Sequence, residues 1–568
     1  MASLITRVYT GFRGVDFRGL EVNLLRSPDA LNMWRDYKET ESIRTRPEVE
    51  LKESFDNTVW GVFFYVVGST EMMLVHCGTK LYKIVGGKRE VLYEGLNPTQ
   101  SQAFIYNNIW YFKDGINYLE YDGDTIGEVV GYVPTTTIGR RPSGGGTKYE
   151  DVNLLSSERI NTFLADGIET EYFLDAINID STRMPEVKVN DVVLDTSEYS
   201  VNFVEGKITF NEAPPMPLTD GQDNVSIRFS RTVEGYRARI NQCTMLQVFD
   251  NRVFFSGHPD YPNTIFHSSL NNPRYCSDLD YYNEGLDLSK VTGLVAGNNA
   301  LWVFKEPSQA NTTVFYHNPT IDADYGKIYP STHSNISTGC IGKAINFNDD
   351  IAFFSDRGME AVNGDVTTEQ VIAHRSSLVD RKMLAEEDYK NMILEEYEGY
   401  LFVFIGKSVY LADSRLMFQN VNHYEYEWHK WDLSEKITCA IVHKGVMYLG
   451  SNTGIYTLTD HTANVPSYWT TPLDKFDAPQ YLKTTNKRGC VVEALGDLTI
   501  SAKTNGDEWE EIDHFESVTD YLVVKKKFKK FKDIQLKFSS DTRFSLEQAT
   551  LECFVGSYVC FIICFICM

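Results

Sequence analysis

Residues able to perform acid–base or nucleophilic chemistry are numerous in this sequence, but their spacing matches no arrangement that such chemistry needs. Carboxylates occur mostly as turn residues, as in Asp122-Gly123-Asp124, and no Asp/Glu pair stands out as a general acid and base. The 11 histidines include no HExxH pair, and no G-x-S-x-G, P-loop or dinucleotide-binding pattern occurs. The sequence therefore predicts a protein that is not an enzyme, with no catalytic, cofactor-binding or metal-binding residues.

The run from Lys525 to Lys532 has two competing interpretations. It interleaves Phe528 and Phe531 among six lysines, a pattern found in proteins that bind single-stranded nucleic acid. The same pattern suits an exposed edge strand, because lysines on an edge block aggregation. The overall formal charge of −24 argues against a protein that grips nucleic acid through its phosphates. It does not exclude a surface past which DNA slides.

The cysteines and the two termini suggest a chain made in a reducing compartment. None of the 10 cysteines has zinc-ligand spacing or the density of a disulfide framework. The first residues lack the apolar core of a signal peptide. The last twelve residues, 557–568, are almost wholly apolar but too short for a bilayer span of about 20 residues. The sequence leaves three interpretations of these residues: a buried last strand, a packing tail, or an end that is not native.

A recurring aromatic hairpin indicates how the rest of the chain is built. Its opening turn residues are Asn251, Asn299, Asp350, Gly399 and Gly445, at steps of 46 to 51 residues. A fixed step in this range with strand-only content is typical of β-propeller blades. Weaker hairpins near residues 71 and 108 bring the total to seven. We therefore expect a mainly β protein, a β-propeller of about six to eight blades.

The remaining segments divide into predicted domains. Residues 1–50 form an entry segment that packs on the propeller, and residues 51–140 hold its first blades. The glycine-rich stretch Arg140–Thr147 reads as a flexible linker, followed at 148–232 by evenly spaced short strands typical of a small inserted β-sandwich. Residues 233–483 hold the remaining blades, 484–556 a C-terminal β domain, and 557–568 the apolar tail.

The entry segment contains an unusual motif, Arg26–Tyr37, followed closely by Ile43–Pro47. Ser27 is a plausible N-cap and Pro28 a plausible first helical residue, which predicts a short turn of helix. Trp34 and Tyr37 are predicted to anchor the segment, because large aromatic rings dominate packing energies.

These two motifs resemble the N-terminal "ALNMW…RTRP" pattern of bacteriophage tail proteins called nozzle or stabilisation proteins, in which such an entry precedes a β-propeller. This chain has Glu48 after the proline, where that family commonly has glycine. The insert also resembles a module of phage tail and fibre proteins, with its F-x-x-D-G opening at Phe163–Gly167, V-x-V-N at Val187–Asn190 and A-P-P turn at Ala213–Pro215.

The resemblance implies a structural protein of a short-tailed phage virion, made in the host cytoplasm. It implies a homo-oligomeric ring, usually of six copies, below the portal and its adaptor. Such a ring closes the DNA channel and lets DNA pass during ejection, alongside tail fibre or needle proteins. No cofactor and no membrane span are implied. The structural or assembly candidates are Trp34, Tyr37, Arg44, Arg46 and Pro47.

Two alternatives belong to other functional classes. An adsorption protein, or a glycan-binding or glycan-hydrolysing propeller at the host surface, would use the abundant Trp and Tyr to stack on sugars. A cellular scaffold propeller would bind other proteins, although WD-repeat patterns are absent. No repeated Asp-box and no paired carboxylates support the glycan alternative.

Overall fold

The computed structural model describes residues 3–37, 42–310, 312–323, 326–363, 371–420, 423–459 and 464–558. These residues form 52 strands, two short α-helices and one 3-10 helix. They separate into two compact units, one comprising Met1–Val62 with Thr338–Met568 and the other Phe63–Ser337. Among the described residues, no helix has the length and hydropathy needed to cross a membrane.

The chain begins with seven short strands that join other parts of the first unit. They are β1 Ser3–Thr10, β2 Gly14–Val15, β3 Arg26–Ser27, β4 Ala30–Leu31, β5 Met33–Arg35, β6 Ile43–Thr45 and β7 Glu48–Ser54.

Two four-stranded antiparallel sheets follow, with their strands paired in chain order. They are β8 Val59–Val67, β9 Thr70–Cys77, β10 Lys80–Val85 and β11 Lys88–Glu94, then β12 Gln102–Tyr106, β13 Ile109–Lys113, β14 Tyr118–Tyr121 and β15 Ile126–Glu128.

The inserted module is a two-sheet sandwich. Its strands are β16 Thr135–Arg140, β17 Thr147–Lys148, β18 Glu158–Phe163, β19 Glu171–Phe173, β20 Glu186–Val189, β21 Val192–Val193, β22 Tyr199–Asn202, β23 Lys207–Phe210 and β24 Val225–Ser230. One sheet has the order β17-β16-β18-β24-β20-β21 and the other β19-β23-β22. Alternating apolar residues of both sheets meet in a shared core that includes Phe163, Tyr172, Ile208 and Ile227.

The predicted flexible linker inside this module is wrong. Arg140–Thr147 is a tight loop joining β16 to β17, with Arg141 bridged to Gly144. Arg140 is only 6% exposed, and its guanidinium donates hydrogen bonds to the carbonyls of Phe173 and Gly145 at 2.9 and 2.7 Å. The glycines permit the positive φ angles of the turn, and the arginine satisfies carbonyls that would otherwise be buried without a donor.

Helix α1, Tyr236–Asn241, leads back to two more four-stranded sheets of the same unit. They are β25 Met245–Phe249, β26 Arg252–Ser256, β27 Thr264–His267 and β28 Tyr281–Asn283, then β29 Val291–Gly297, β30 Ala300–Lys305, β31 Val314–His317 and β34 Ser331–His333, with a side hairpin of β32 Thr320–Asp322 and β33 Gly326–Ile328.

The first unit holds three further four-stranded sheets. The first contains β35 Ala344–Phe347, β36 Asp350–Ser355, β37 Gly358–Asn363 and β38 Val371–His374. It is followed by α2 Asp380–Met383 and the 3-10 helix Tyr389–Asn391. The second contains β39 Ile393–Tyr397, β40 Tyr400–Ile405, β41 Ser408–Asn420 and β42 His423–Asp432. The third contains β43 Ile437–His443, β44 Val446–Ser451 and β45 Gly454–Thr459, with β7 as its outer strand.

Seven four-stranded antiparallel sheets in succession confirm the predicted β-propeller fold class. The recurring turn has a physical basis, because six of these sheets join their first two strands by a two-residue turn with both φ angles positive. Asp250 and Asn251 show this at φ 48° and 58°, and Asn298 and Asn299 at 51° and 60°. Such turns match the twist of the flanking strands, and Asn, Asp and Gly tolerate them best.

The chain ends in an 11-stranded sheet. Its C-terminal members are β46 Ser467–Thr470, β47 Tyr481–Thr504, β48 Glu510–Val518, β49 Tyr521–Val524, β50 Lys529–Phe531, β51 Ile534–Ser540 and β52 Phe544–Tyr558. Entry strands β1 and β6 pair with β52, and β4 pairs with β46, so the entry segment and the C-terminal β domain build one sheet. Residues 559–568 of the predicted apolar tail lie outside the described residues.

The predicted helical turn at Arg26–Tyr37 is wrong, because the segment consists of the short strands β3, β4 and β5. Ser27 Oγ does accept a local hydrogen bond from the Asp29 amide at 3.2 Å. The backbone nevertheless pairs with distant strands, and Asn32 breaks the segment with a left-handed φ of 57°. Long-range pairing therefore overrides the local capping pattern.

Candidate functional site

Asn32 fixes the course of the entry segment, although sequence analysis did not single it out. Its backbone nitrogen donates to the Lys430 carbonyl at 2.9 Å, and its side-chain Nδ2 donates to the Pro466 carbonyl at 2.9 Å. Its side-chain oxygen accepts from the Asp432 amide at 2.8 Å and from Arg46 Nε at 3.0 Å. Asparagine suits this position because it tolerates a left-handed backbone and offers both donors and acceptors.

Trp34 lies in the aromatic cluster between the entry segment and the β39–β42 sheet. It is 3% exposed, and its ring centroid lies 5.5 Å from that of Tyr400 and 5.4 Å from that of Trp431. The Trp34–Trp431 pair is edge-to-face, a favourable geometry for aromatic rings.

Tyr37 is only partly buried and connects to the same sheet through its hydroxyl group. That hydroxyl donates to the carboxylate of Asp413, which is fully buried, and the Arg415 guanidinium lies 3.5 Å from the Tyr37 ring centroid. Burial and the hydrogen bond to Asp413 raise the pKa of Tyr37 well above its ordinary value. The phenol therefore stays protonated and acts as a donor.

Arg44 and Arg46 are buried in the same region, and Pro47 is partly buried there. Arg44 is 2% exposed and pairs with the buried carboxylate of Asp36. Arg46 is 7% exposed and donates to the carbonyls of Pro47 and Asp432 at 2.8 and 3.0 Å. Burial lowers the pKa of Arg46 to about 10, so it is still a cation at neutral pH. All three residues are used inside the fold.

A cavity of about 300 Å³ opens beside this cluster. It is lined by Trp34, Arg35, Asp36, Tyr37, Glu398, Gly399, Tyr400 and Arg415. Aromatic rings and guanidinium groups therefore share one recess. Such a lining suits a ligand with an apolar ring face and several hydrogen-bond acceptors.

His429 packs against Tyr400, and the sequence did not predict it as a candidate residue. Its ring centroid is 5.9 Å from that of Tyr400, it is fully buried, and neither ring nitrogen has a hydrogen-bond partner among the described residues. Burial, with the nearby Arg35 and Arg415, lowers the pKa of His429 to about 3. The imidazole is therefore neutral and adds no charge to the region.

His374 behaves in the opposite way in the β35–β38 sheet. Its Nε2 lies 2.6 Å from the Asp380 carboxylate and its Nδ1 3.4 Å from that of Glu360. Burial opposes the charged form, but hydrogen bonds to the two carboxylates outweigh it and raise the pKa of His374 to about 10. His374 is thus a partly buried cation held by two anions.

Only part of the Lys525–Lys532 run is a strand. Phe531 is 1% exposed and Phe528 packs against the core, so neither ring is available to stack on a base. Residues Lys529–Phe531 form β50, which pairs with β47. The aromatic interleaving is explained by packing and does not indicate a nucleic-acid site. Within the described part of the chain, no cluster of three or more potential metal ligands occurs.

Comparisons with known proteins give structural matches only. No family model and no curated protein sequence matches the chain. BamB from Moraxella catarrhalis matches 73% of this chain and 98% of its own at 12% identity and a TM-score of 0.33. BBS1N in complex with ARL6DN matches 74% and 98% at 8% identity and a TM-score of 0.26. Because these TM-scores are low, the β-propeller assignment depends on the strand pairing described above.

Enzymes also occur among the matches. An exo-beta-1,3-galactanase from Phanerochaete chrysosporium with galactose matches 54% of this chain and 94% of its own, at 11% identity and a TM-score of 0.22. A glycoside hydrolase matches 87% and 98% at 6% identity and a TM-score of 0.21. This finding contradicts our prediction that the protein is not an enzyme, and that prediction is not retained. The chain is a β-propeller protein of a fold class that enzymes share with non-enzymatic proteins.

Proposed function

We propose that this protein is a structural component of a bacteriophage tail, a nozzle-type protein that assembles as a ring below the portal and its adaptor. The proposal depends on the entry motifs and their place in the fold. The residues that resemble the family pattern, Trp34, Arg44 and Arg46, are at most 7% exposed. Trp34 and Arg46 join the entry segment to Trp431 and Asp432 in the same unit, and Arg44 pairs with Asp36 inside the segment. A motif buried in this way supports a role in building the particle's wall.

Backbone pairing reinforces that argument. The entry segment supplies β7 as the outer strand of the β43–β45 sheet, with pairs from Glu48 with Thr459 to Ser54 with Gly454. It also supplies β1 and β6 to the C-terminal sheet. Strands contributed from one end of a chain to sheets built by the other end resist separation. This property suits a tail component that withstands the passage of DNA.

The charge of the chain is compatible with that role. A formal charge of −24 repels phosphates, so DNA passes an acidic lining without adhering. A ring of identical subunits, six in this proposal, needs a heterologous interface around a cyclic axis. Its partners would be further copies of the chain, the portal and adaptor proteins, and tail fibre or needle proteins.

Labelling of virions tests this proposal. Antibodies raised against the purified chain, coupled to gold and viewed by electron microscopy, are expected to label the tail of intact particles. The expected site is the tail below the capsid vertex. Absence of the chain from purified virions, established by mass spectrometry, would contradict the proposal.

A second candidate function is contact with host-surface glycans, favoured by the cavity beside Tyr37. Tyr37, Tyr400 and Arg415 combine aromatic faces with a guanidinium group, a combination that stacks on sugars and binds their hydroxyl groups. Binding to an array of bacterial polysaccharides tests it. Arg415→Gln is expected to abolish retention, and Arg141→Gln, on the exposed loop of the inserted module, is the control. Equal retention by both variants would reject this site.

A further inference from the structure

A second cavity lies at the base of the inserted sandwich, entirely within the second unit. Its volume is about 500 Å³, within the range of small-molecule sites. The wall combines the end of β15, the segment leading into β18, the end of β24 and the start of α1. Residues far apart in the sequence therefore converge on one recess.

Positive charge predominates in this cavity. Arg183, Arg228, Arg231 and Arg237 line it, against the carboxylates of Glu128 and Glu158. Four guanidinium groups facing two carboxylates leave an excess of two positive charges. In a chain of formal charge −24, such a local excess stands out.

Two of the four arginines already share one carboxylate. Arg183 Nη1 lies 2.9 Å from Glu158 Oε1, and Arg228 Nε lies 2.9 Å from Glu158 Oε2. Glu158 thus holds both guanidinium groups at one side of the recess. Their role in the fold is accounted for by this pairing.

The other two arginines differ in how far they are paired. Arg237 Nη2 donates to the carbonyls of Val129 and Leu155 at 3.0 and 2.5 Å. Its Nη1 is buried without a hydrogen-bond partner among the described residues and forms an ion pair with Glu128 at 3.5 Å. The Arg231 side chain makes no hydrogen bond or ion pair to any described residue, although its backbone amide is fixed to the Ser157 carbonyl at 2.8 Å.

We propose that this cavity binds a small ligand carrying an oxyanion, a carboxylate or a phosphate, between Arg231 and Arg237. Guanidinium groups match such oxyanions in planar, paired hydrogen bonds. Val130, Val233 and Tyr236 supply an apolar wall for the body of the ligand, and Val130 is 69% exposed. The site is independent of the tail-ring proposal and of the cavity beside Tyr37.

Isothermal titration of the full-length protein tests the site. Inorganic phosphate and glucuronate are the probes, and glucose is the neutral control. Saturable binding of either anion, at a dissociation constant of about 1 mM or tighter, is expected, with none for glucose. The anion that binds more tightly identifies whether phosphate or carboxylate is the natural group.

Arg231→Gln is expected to weaken binding about tenfold or more, since it removes charged hydrogen bonds. Arg141→Gln makes the same charge change on an exposed loop of the same module and should bind as the parent does. If Arg231→Gln unfolds, Arg231→Lys keeps the charge without the planar fork and should still weaken binding. Failure of both anions to bind, or equal binding by the folded Arg231 variant and the parent, would overturn the proposal.

Discussion

Arginine is used in opposite ways in two regions of this molecule. In the entry segment, Arg44 and Arg46 are buried and donate to groups of the fold itself. At the base of the inserted module, Arg231 and Arg237 line a cavity with donors that no described residue accepts. Burial against partners of the fold indicates a structural role, and a guanidinium group that lines a cavity without a hydrogen bond or ion pair to a described residue, as at Arg231, indicates a binding role. The residue type alone cannot distinguish the two.

The largest expected effect is at Trp34. Trp34→Ala removes a ring packed between Tyr400 and Trp431 and should lower the free energy of unfolding by about 3–5 kcal/mol. Urea unfolding followed by circular dichroism measures this change. Trp509, which is 38% exposed, is the control, and Trp509→Ala should cost less than about 1 kcal/mol. Equal, small effects at both positions would show that Trp34 does not anchor the segment.

Arg44→Ala tests the buried half of the comparison directly. It leaves the Asp36 carboxylate buried without its cation and should cost about 3–5 kcal/mol in the free energy of unfolding. The matched variant is Arg183→Ala, whose side chain is 63% exposed and already paired with Glu158. It should cost less than about 1 kcal/mol. Similar losses of stability for the two variants would show that burial does not distinguish the structural arginine Arg44 from the exposed Arg183.

Tyr37→Phe should cost about 1–3 kcal/mol, because the buried Asp413 carboxylate loses the hydroxyl donor. Tyr132 also donates to a carboxylate, that of Glu150, but it is 39% exposed. Tyr132→Phe should therefore change thermal stability very little. A larger effect at Tyr132 than at Tyr37 would contradict the assignment of Tyr37 to the fold.

The pH dependence of stability tests the ion pair that His374 forms with Asp380 and Glu360. The pKa of His374 rises on folding from 6.5 to about 10, so its contribution is complete below pH 6.5 and is lost as pH rises through 10. Stability should fall across that window with a slope of at most about 1.4 kcal/mol per pH unit from this group. His374→Gln should flatten the slope, while the exposed His514→Gln should not. An unchanged slope in His374→Gln would exclude the ion pair of His374 with Asp380 and Glu360.

The propeller blades could be predicted because their turns leave a local sequence pattern. The course of the entry segment could not be predicted, because it depends on contacts with residues far away in the chain. The recurring hairpins were visible because two-residue turns such as Asp250-Asn251 leave a local pattern. The pattern at Ser27-Pro28 predicted a helix, because nothing in that segment reveals pairing with β46. Asn32 was missed for the same reason, since its partners lie some 400 residues away.

The cavity of Arg231 and Arg237 was equally invisible in the sequence. Its walls come from four segments between residues 128 and 237, none of which carries a motif. A short sequence such as Ser230-Arg231-Thr232 does not reveal whether its guanidinium group finds a partner. Only the folded structure shows that Arg228 pairs with Glu158 while the side chain of Arg231 has no partner among the described residues.

Electron microscopy of the purified protein mixed with the portal–adaptor complex tests whether the chain forms a tail ring. We expect a closed ring of identical subunits docked below the adaptor, and we expect Trp34→Ala to weaken its formation. A protein that remains monomeric with the complex present, and instead retains or hydrolyses polysaccharide, would contradict this expectation.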